Sequence, residues 1–269
     1  MTVMTVSSRN TVARKINRET VVLLGWGRAI LLQLAHPLVA AGVAEYSPFH
    51  DSAGGYMQRV RRTVGGMVGI TFGSPEEARQ IIERINHIHR QVHGTLRHAA
   101  GIFPAGTNYS ATDPALLSWV HATLVESMMM TYERLVAPLT AEEREQFCVE
   151  AAETGRLLGI PDEALPKRVV DLERYLQTMY AGGEIAVADD ARALAGALFS
   201  PPLGPAAGPL FRVTRLVTVG LLPERIRNEY GFKWSPRRER ACGAIMGFIR
   251  RTRGMLPAVL REWPAARAA

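Results

Sequence analysis

Apolar positions along this chain recur with a period near 3.6 in one segment after another, and strand-type alternation is nowhere convincing, so the pattern predicts an all-α fold. After a loose tail over residues 1–10, the run VVLLGWGRAILLQLAHPLVAAGVAEYS spaces Leu24, Leu31, Leu34 and Leu38 as a helix would. His36-Pro37 ends or kinks it and starts another helix, because the residue before a proline avoids helical geometry. SPFHDSAGG is a polar break. In YMQRVRRTVGGMVGITFG, Tyr56, Met57, Val60, Val64, Met67 and Val68 again fall at helical intervals, with Arg59 and Thr63 sharing a face. A helix is then expected over residues 74–99. Ser74 is its N-cap, Pro75 takes the first position, Glu76 and Glu77 suit the first turn, and Gly94 weakens its far end.

The later elements carry clear punctuation. Asp113-Pro114 opens a helix running to about Ala137, and Thr140 with Glu143 has capping-box spacing for a helix closed by Gly159. Further helices are expected in KRVVDLERYLQTMYAGG and ADDARALAGALF, then over 210–221, 223–230 and 236–253. SPPLGPAAGP between them is the most linker-like stretch. The pattern divides into an N-terminal tail (1–20), a helical domain (21–200) and C-terminal helices packing on that domain (201–269).

Composition narrows the class. The 269 residues are 47% hydrophobic and 21% charged, a globular profile able to bury a core. Cys148 and Cys242 lack CxxC spacing, which argues against a zinc module or a disulfide framework and fits a reducing, cytoplasmic location. The net charge is +7, and residues 224–253 hold nine Arg/Lys against three Glu, a local +6. No nucleic-acid-binding signature accompanies that patch, so it reads as a solvated basic surface and no nucleic-acid partner is expected. The apolar run over 21–44 has spanning length but contains Arg28, Gln33, His36 and Pro37. It reads as buried helix, with peripheral membrane contact left open. Gly25-Trp26-Gly27 within it suits close helix packing, and Arg28 must reach solvent or bind an anion.

Candidate chemistry sits in the N-terminal half, since all seven histidines lie between His36 and His121, four of them within 74–99. At 100° per residue, Ile81, Ile82, Ile85, Ile88, Val92 and Leu96 form one arc that includes His89. His93 is at its edge, and His87 and His98 point away. A buried imidazole needs hydrogen bonds or a metal for its ring nitrogens, and periodicity leaves both open. The chain has no HExxH, GxSxG, P-loop or GxGxxG motif. What remains is imidazole and arginine in an apolar helical setting, which suits an acidic cofactor with a hydrophobic body such as haem.

The phrases GRAILLQLAHPLVAAGVAEYSPF, RVRRTVGGMVGITFG, INHIHRQVHG and YSATDPALLSWVHATLVES, in this order over residues 21–180, resemble the rubber oxygenase (latex-clearing protein) catalytic-domain family. This family also includes the farnesyl-cleaving oxygenase of mycophenolic acid biosynthesis. The resemblance implies a globin-like helical core around a haem b pocket, O₂ as co-substrate and a small apolar, unsaturated substrate cleaved at C=C. It implies His89, in His89-Arg90-Gln91-Val92, as the iron ligand, with His93 the alternative. Arg59, Arg62 and Thr63 would line the distal or propionate side, and Arg62 stands where the rubber enzyme has a lysine that can ligate iron. Arginine stays protonated and does not readily do so. Glu45 is the nearest match to the family's proposed base, and Arg28 and His36 match family features near the cofactor. Tyr109, Trp119 and His121 fit the family pattern as supporting or packing residues. The rival readings are a haem-binding sensor or carrier without turnover, and a cofactor-free helical interaction protein.

Overall fold

The computed structural model describes the backbone of residues 11–46, 53–199 and 208–268, and their side chains apart from 53–57, 59 and 60. Parts of the tail, the polar break and the linker-like stretch, with His50 and the Arg59 side chain, lie outside the described residues. The fold is an all-α single domain whose one sheet, among the described residues, is a two-stranded hairpin.

Its centre is the packed pair α2 (Leu23–Leu34) and α6 (Pro114–Leu135). Leu31 and Leu32 of α2 and Trp119 and Leu135 of α6 are fully buried, and burying each leucine contributes roughly 2 kcal/mol. Gly25 permits the close approach: a Cβ there would lie 2.4 Å from Thr131 Oγ1 and 2.8 Å from the Ser127 carbonyl. Gly27 abuts Thr218 of α10 (Gly208–Gly220) in the same way. Close helix packing therefore accounts for Gly-Trp-Gly.

At His36 the chain turns by 106° into α3 (Pro37–Tyr46). Nδ1 of His36 accepts from the Leu38 N–H at 3.3 Å, capping the new helix, and the ring packs on Phe103 at 5.2 Å. No single helix among the described residues is long and apolar enough to cross a membrane. The bent pair over 20–46 reaches spanning length only jointly, and most of it is buried here.

Around this centre lie α7 (Ala141–Leu157), α8 (Val169–Ala181), α9 (Asp189–Phe199), α11 (Glu224–Glu229) and α12 (Pro236–Thr252). The capping box at Thr140/Glu143 forms, and Asp113 caps α6 through Ala115 N–H at 2.9 Å. Leu194, Leu222, Ile226 and Tyr230 join the same core as Leu31 and Trp119, so the C-terminal helices complete it.

Two expectations change. Residues 12–17, expected as tail, form the docked helix α1 (Val12–Asn17), because Ile16 inserts fully into the core and Glu150 accepts from the Ala13 N–H at 2.7 Å. The helix expected over 74–99 ends early: α5 is Pro75–His89, and His93–Thr95 is instead strand β1, paired antiparallel with β2 (Asn108–Ser110). Strand pairing satisfies the backbone there, and Gly94 lies against the Tyr109 ring, where a Cβ would come within 2.6 Å of Oη.

Candidate functional site

α4 (Ala53–Phe72) and α5 form a close hairpin with Ser74 as the cap of α5. Gly69 faces Ile81, and Gly73 faces Glu77. Arg61, Arg62 and Thr63 are exposed. The RVRRT segment thus lies on the helix that packs against α5.

His89 is the last residue of α5. Its ring is half-buried, and burial lowers its pKa below the ordinary imidazole value, favouring the neutral form that can donate a lone pair. Nδ1 is fully enclosed yet has no hydrogen-bond partner, the one imidazole nitrogen so placed among the described residues. Ile88 beside it is 51% exposed. His93 is different. It lies on the outward side of β1, exposed, and its carbonyl accepts from Tyr46 Oη at 2.7 Å. His87 is exposed and pairs with Gln91, and His98 is exposed.

The hairpin after His89 docks on α3. Tyr109 is 5% exposed, sits between Gly42 and Gly94, and donates to Glu45 Oε2 at 2.6 Å. Burial, with Glu45 adding to it, raises the Tyr109 pKa, so the phenol keeps its proton and remains the donor. Glu45 is exposed at the end of α3. The fold therefore brings Glu45, Tyr46, Tyr109 and the His89 turn together around one end of α3.

Arg28 and His36 are engaged by protein groups. Arg28 is 2% exposed and its guanidinium is fully engaged. It forms a two-pronged ion pair with Glu126, donates to Ser127 Oγ at 2.6 Å, and donates from Nε to the Leu221 carbonyl at 2.7 Å. The anion it meets belongs to the protein. His36, with its Nδ1 used as a cap, is held neutral by burial, its pKa pushed down to about 4. Trp119 donates to the Leu32 carbonyl and crosses Tyr180 edge-on. His121 is buried beside Gly155, its pKa likewise about 4 from burial.

Sequence reasoning missed Glu126 and Tyr46. A signal existed for the first: Glu126 is the one acid between Asp113 and Glu133, and a buried arginine calls for one. Among the described residues no three His, Cys, Asp or Glu side chains converge as a metal-binding group. A single unpartnered imidazole instead fits a group that brings most of its own metal donors and takes one from the protein, as haem does. Arginines such as the exposed Arg61 and Arg62 of α4 are of the type that pairs with its carboxylates.

A family described as ER-bound oxygenase mpaB/B'/Rubber oxygenase, catalytic domain, matches residues 13–251. Neither a curated protein nor a solved structure matches the chain.

Proposed function

The chain belongs to the mpaB/rubber oxygenase catalytic-domain family, a family of oxygenases acting on a substrate with O₂, and from that premise we propose that it is a haem-b-dependent oxygenase of an apolar, unsaturated substrate, isoprenoid-like in character. The observation that carries this reading is a neutral, half-buried His89 at the end of α5 whose enclosed Nδ1 makes no hydrogen bond and whose Nε2 is left to meet a ligand. A half-buried imidazole without a hydrogen-bond partner is costly, and holding a haem iron would give the ring the role its surroundings withhold.

Haem, when bound, supplies the iron that activates O₂ for oxidative cleavage of a C=C bond. His89 would hold it by one ring nitrogen, with the neutral state maintained by desolvation. Arg62 and Thr63, with Arg59 on the same helix, would meet the propionates or the distal face. Arg62, always protonated, acts there as a cation and hydrogen-bond donor. Glu45 would take a proton from substrate, and Tyr109 holds Oε2 of that carboxylate in one orientation. Arg28 and His36 support the scaffold that presents these groups. The reading is tested by supplying haem to the purified protein and recording its absorption. A Soret band and O₂ uptake with an isoprenoid alkene are expected. A band without uptake against any alkene would instead favour a sensor or carrier.

A further inference from the structure

The segment that follows α12 is built inside out. Its polar side chains turn inward: Arg253 pairs with Glu19 at 3.3 Å, Arg261 with Glu19 at 3.5 Å, and Glu262 with Arg18 at 2.9 Å. Glu19 and Glu262 are only 4% and 5% exposed. Backbone contacts fix the same stretch, with Trp263 N–H donating to the Arg18 carbonyl at 3.1 Å and Thr20 Oγ1 donating to the Arg261 carbonyl at 3.1 Å. The apolar side chains point out: Met255 is 83% exposed, Leu256 46%, Val259 58% and Leu260 65%. The segment is held in place, so this outward face is a property of the fold.

α12, which leads into this segment, carries an exposed face of its own. Arg237, Ala241, Ala244, Phe248 and Arg251 recur at helical spacing and all are exposed, Phe248 at 65%, while Cys242 on the other side is 1% exposed. Arg237, Arg250 and Arg251 have no ion-pair or hydrogen-bond partner among the described residues. Apolar side chains protrude between unneutralised arginines. Met255, Leu256, Val259 and Leu260 are aliphatic and Phe248 is a single ring, whereas a nucleic acid stacks on a series of aromatic rings.

We propose that this face, from α12 through Leu260, docks on an anionic lipid surface. The apolar side chains enter the headgroup boundary, and the arginines lie along the phosphates with their stems in the apolar layer. The inference is independent of the cofactor, and it moves membrane contact from the apolar N-terminal run, which is buried, to the C-terminal helices.

Co-sedimentation of the full-length protein with phosphatidylcholine vesicles, with and without phosphatidylglycerol, tests it at low and high salt. Binding to the anionic vesicles, weakened by salt, is expected. The pair Met255→Glu and Leu260→Glu should weaken it by more than about tenfold, and Arg251→Gln by about fivefold. Val170→Glu, at an exposed apolar position on α8, should leave it unchanged. Absence of wild-type binding to either vesicle overturns the proposal without recourse to any variant. Equal binding to both vesicle types overturns the anionic assignment. Self-association that the Met255/Leu260 pair abolishes, with no vesicle binding, overturns it in favour of a second copy of the chain.

Discussion

Arg28 shows how far single residues could be read. Its apolar surroundings announce that it needs an anion, but only the packing of α2 on α6 reveals that Glu126 supplies one. Truncating one member of a buried pair strands the other, so Glu126→Ala should lower unfolding free energy by about 3 kcal/mol in urea titration. The combined change Arg28→Met with Glu126→Leu should recover most of that and leave haem content per folded molecule unchanged. Loss of haem in the folded double variant would return Arg28 to the cofactor. His89 was legible as inward-facing from periodicity, whereas the unpaired state of its Nδ1 was not, because hydrogen-bond partners come from tertiary neighbours.

At the scale of elements, most helices were legible through their caps: Ser74, Asp113 and Thr140 open helices as their side-chain chemistry dictates. The end of α5 was not. Val92 and Leu96 are four apart, a spacing that continues a helical stripe and equally fits alternate positions of a strand. In the structure Val92, Gly94 and Leu96 face inward while Gln91, His93, Thr95 and Arg97 are exposed, the period of two that short strands show too briefly to be recognised. That switch moves His93 from the edge of the apolar arc to the outside. It also puts Gly94 under Tyr109. Gly94→Ala should force the Tyr109 ring away from Glu45 and cost about 1–3 kcal/mol of stability. Urea unfolding checks this, and an unchanged midpoint would mean that the ring is free to move.

For the whole molecule, the all-α single domain was readable from periodicity, while the N- to C-terminal contacts were hidden because they join residues more than 230 apart. Stability should depend on pH through the buried histidines. His36 and His121 have folded pKa values of about 4, against 6.5 in an unperturbed chain. Between those values the unfolded state binds more protons, so stability is lost as pH falls from 6.5 toward 4, by up to about 3 kcal/mol for each histidine. Urea midpoints across that range should fall, and less steeply in His121→Leu; a flat profile would contradict the neutral assignment. The central claim is that His89 would hold the iron of a haem, and the most direct measurement is the absorption spectrum of haem-supplied wild type, His89→Ala and His93→Ala, all shown to be folded. A Soret band in wild type and His93→Ala, lost or greatly reduced in His89→Ala, is the predicted result. An unchanged band in His89→Ala, or none in the wild type, would contradict it.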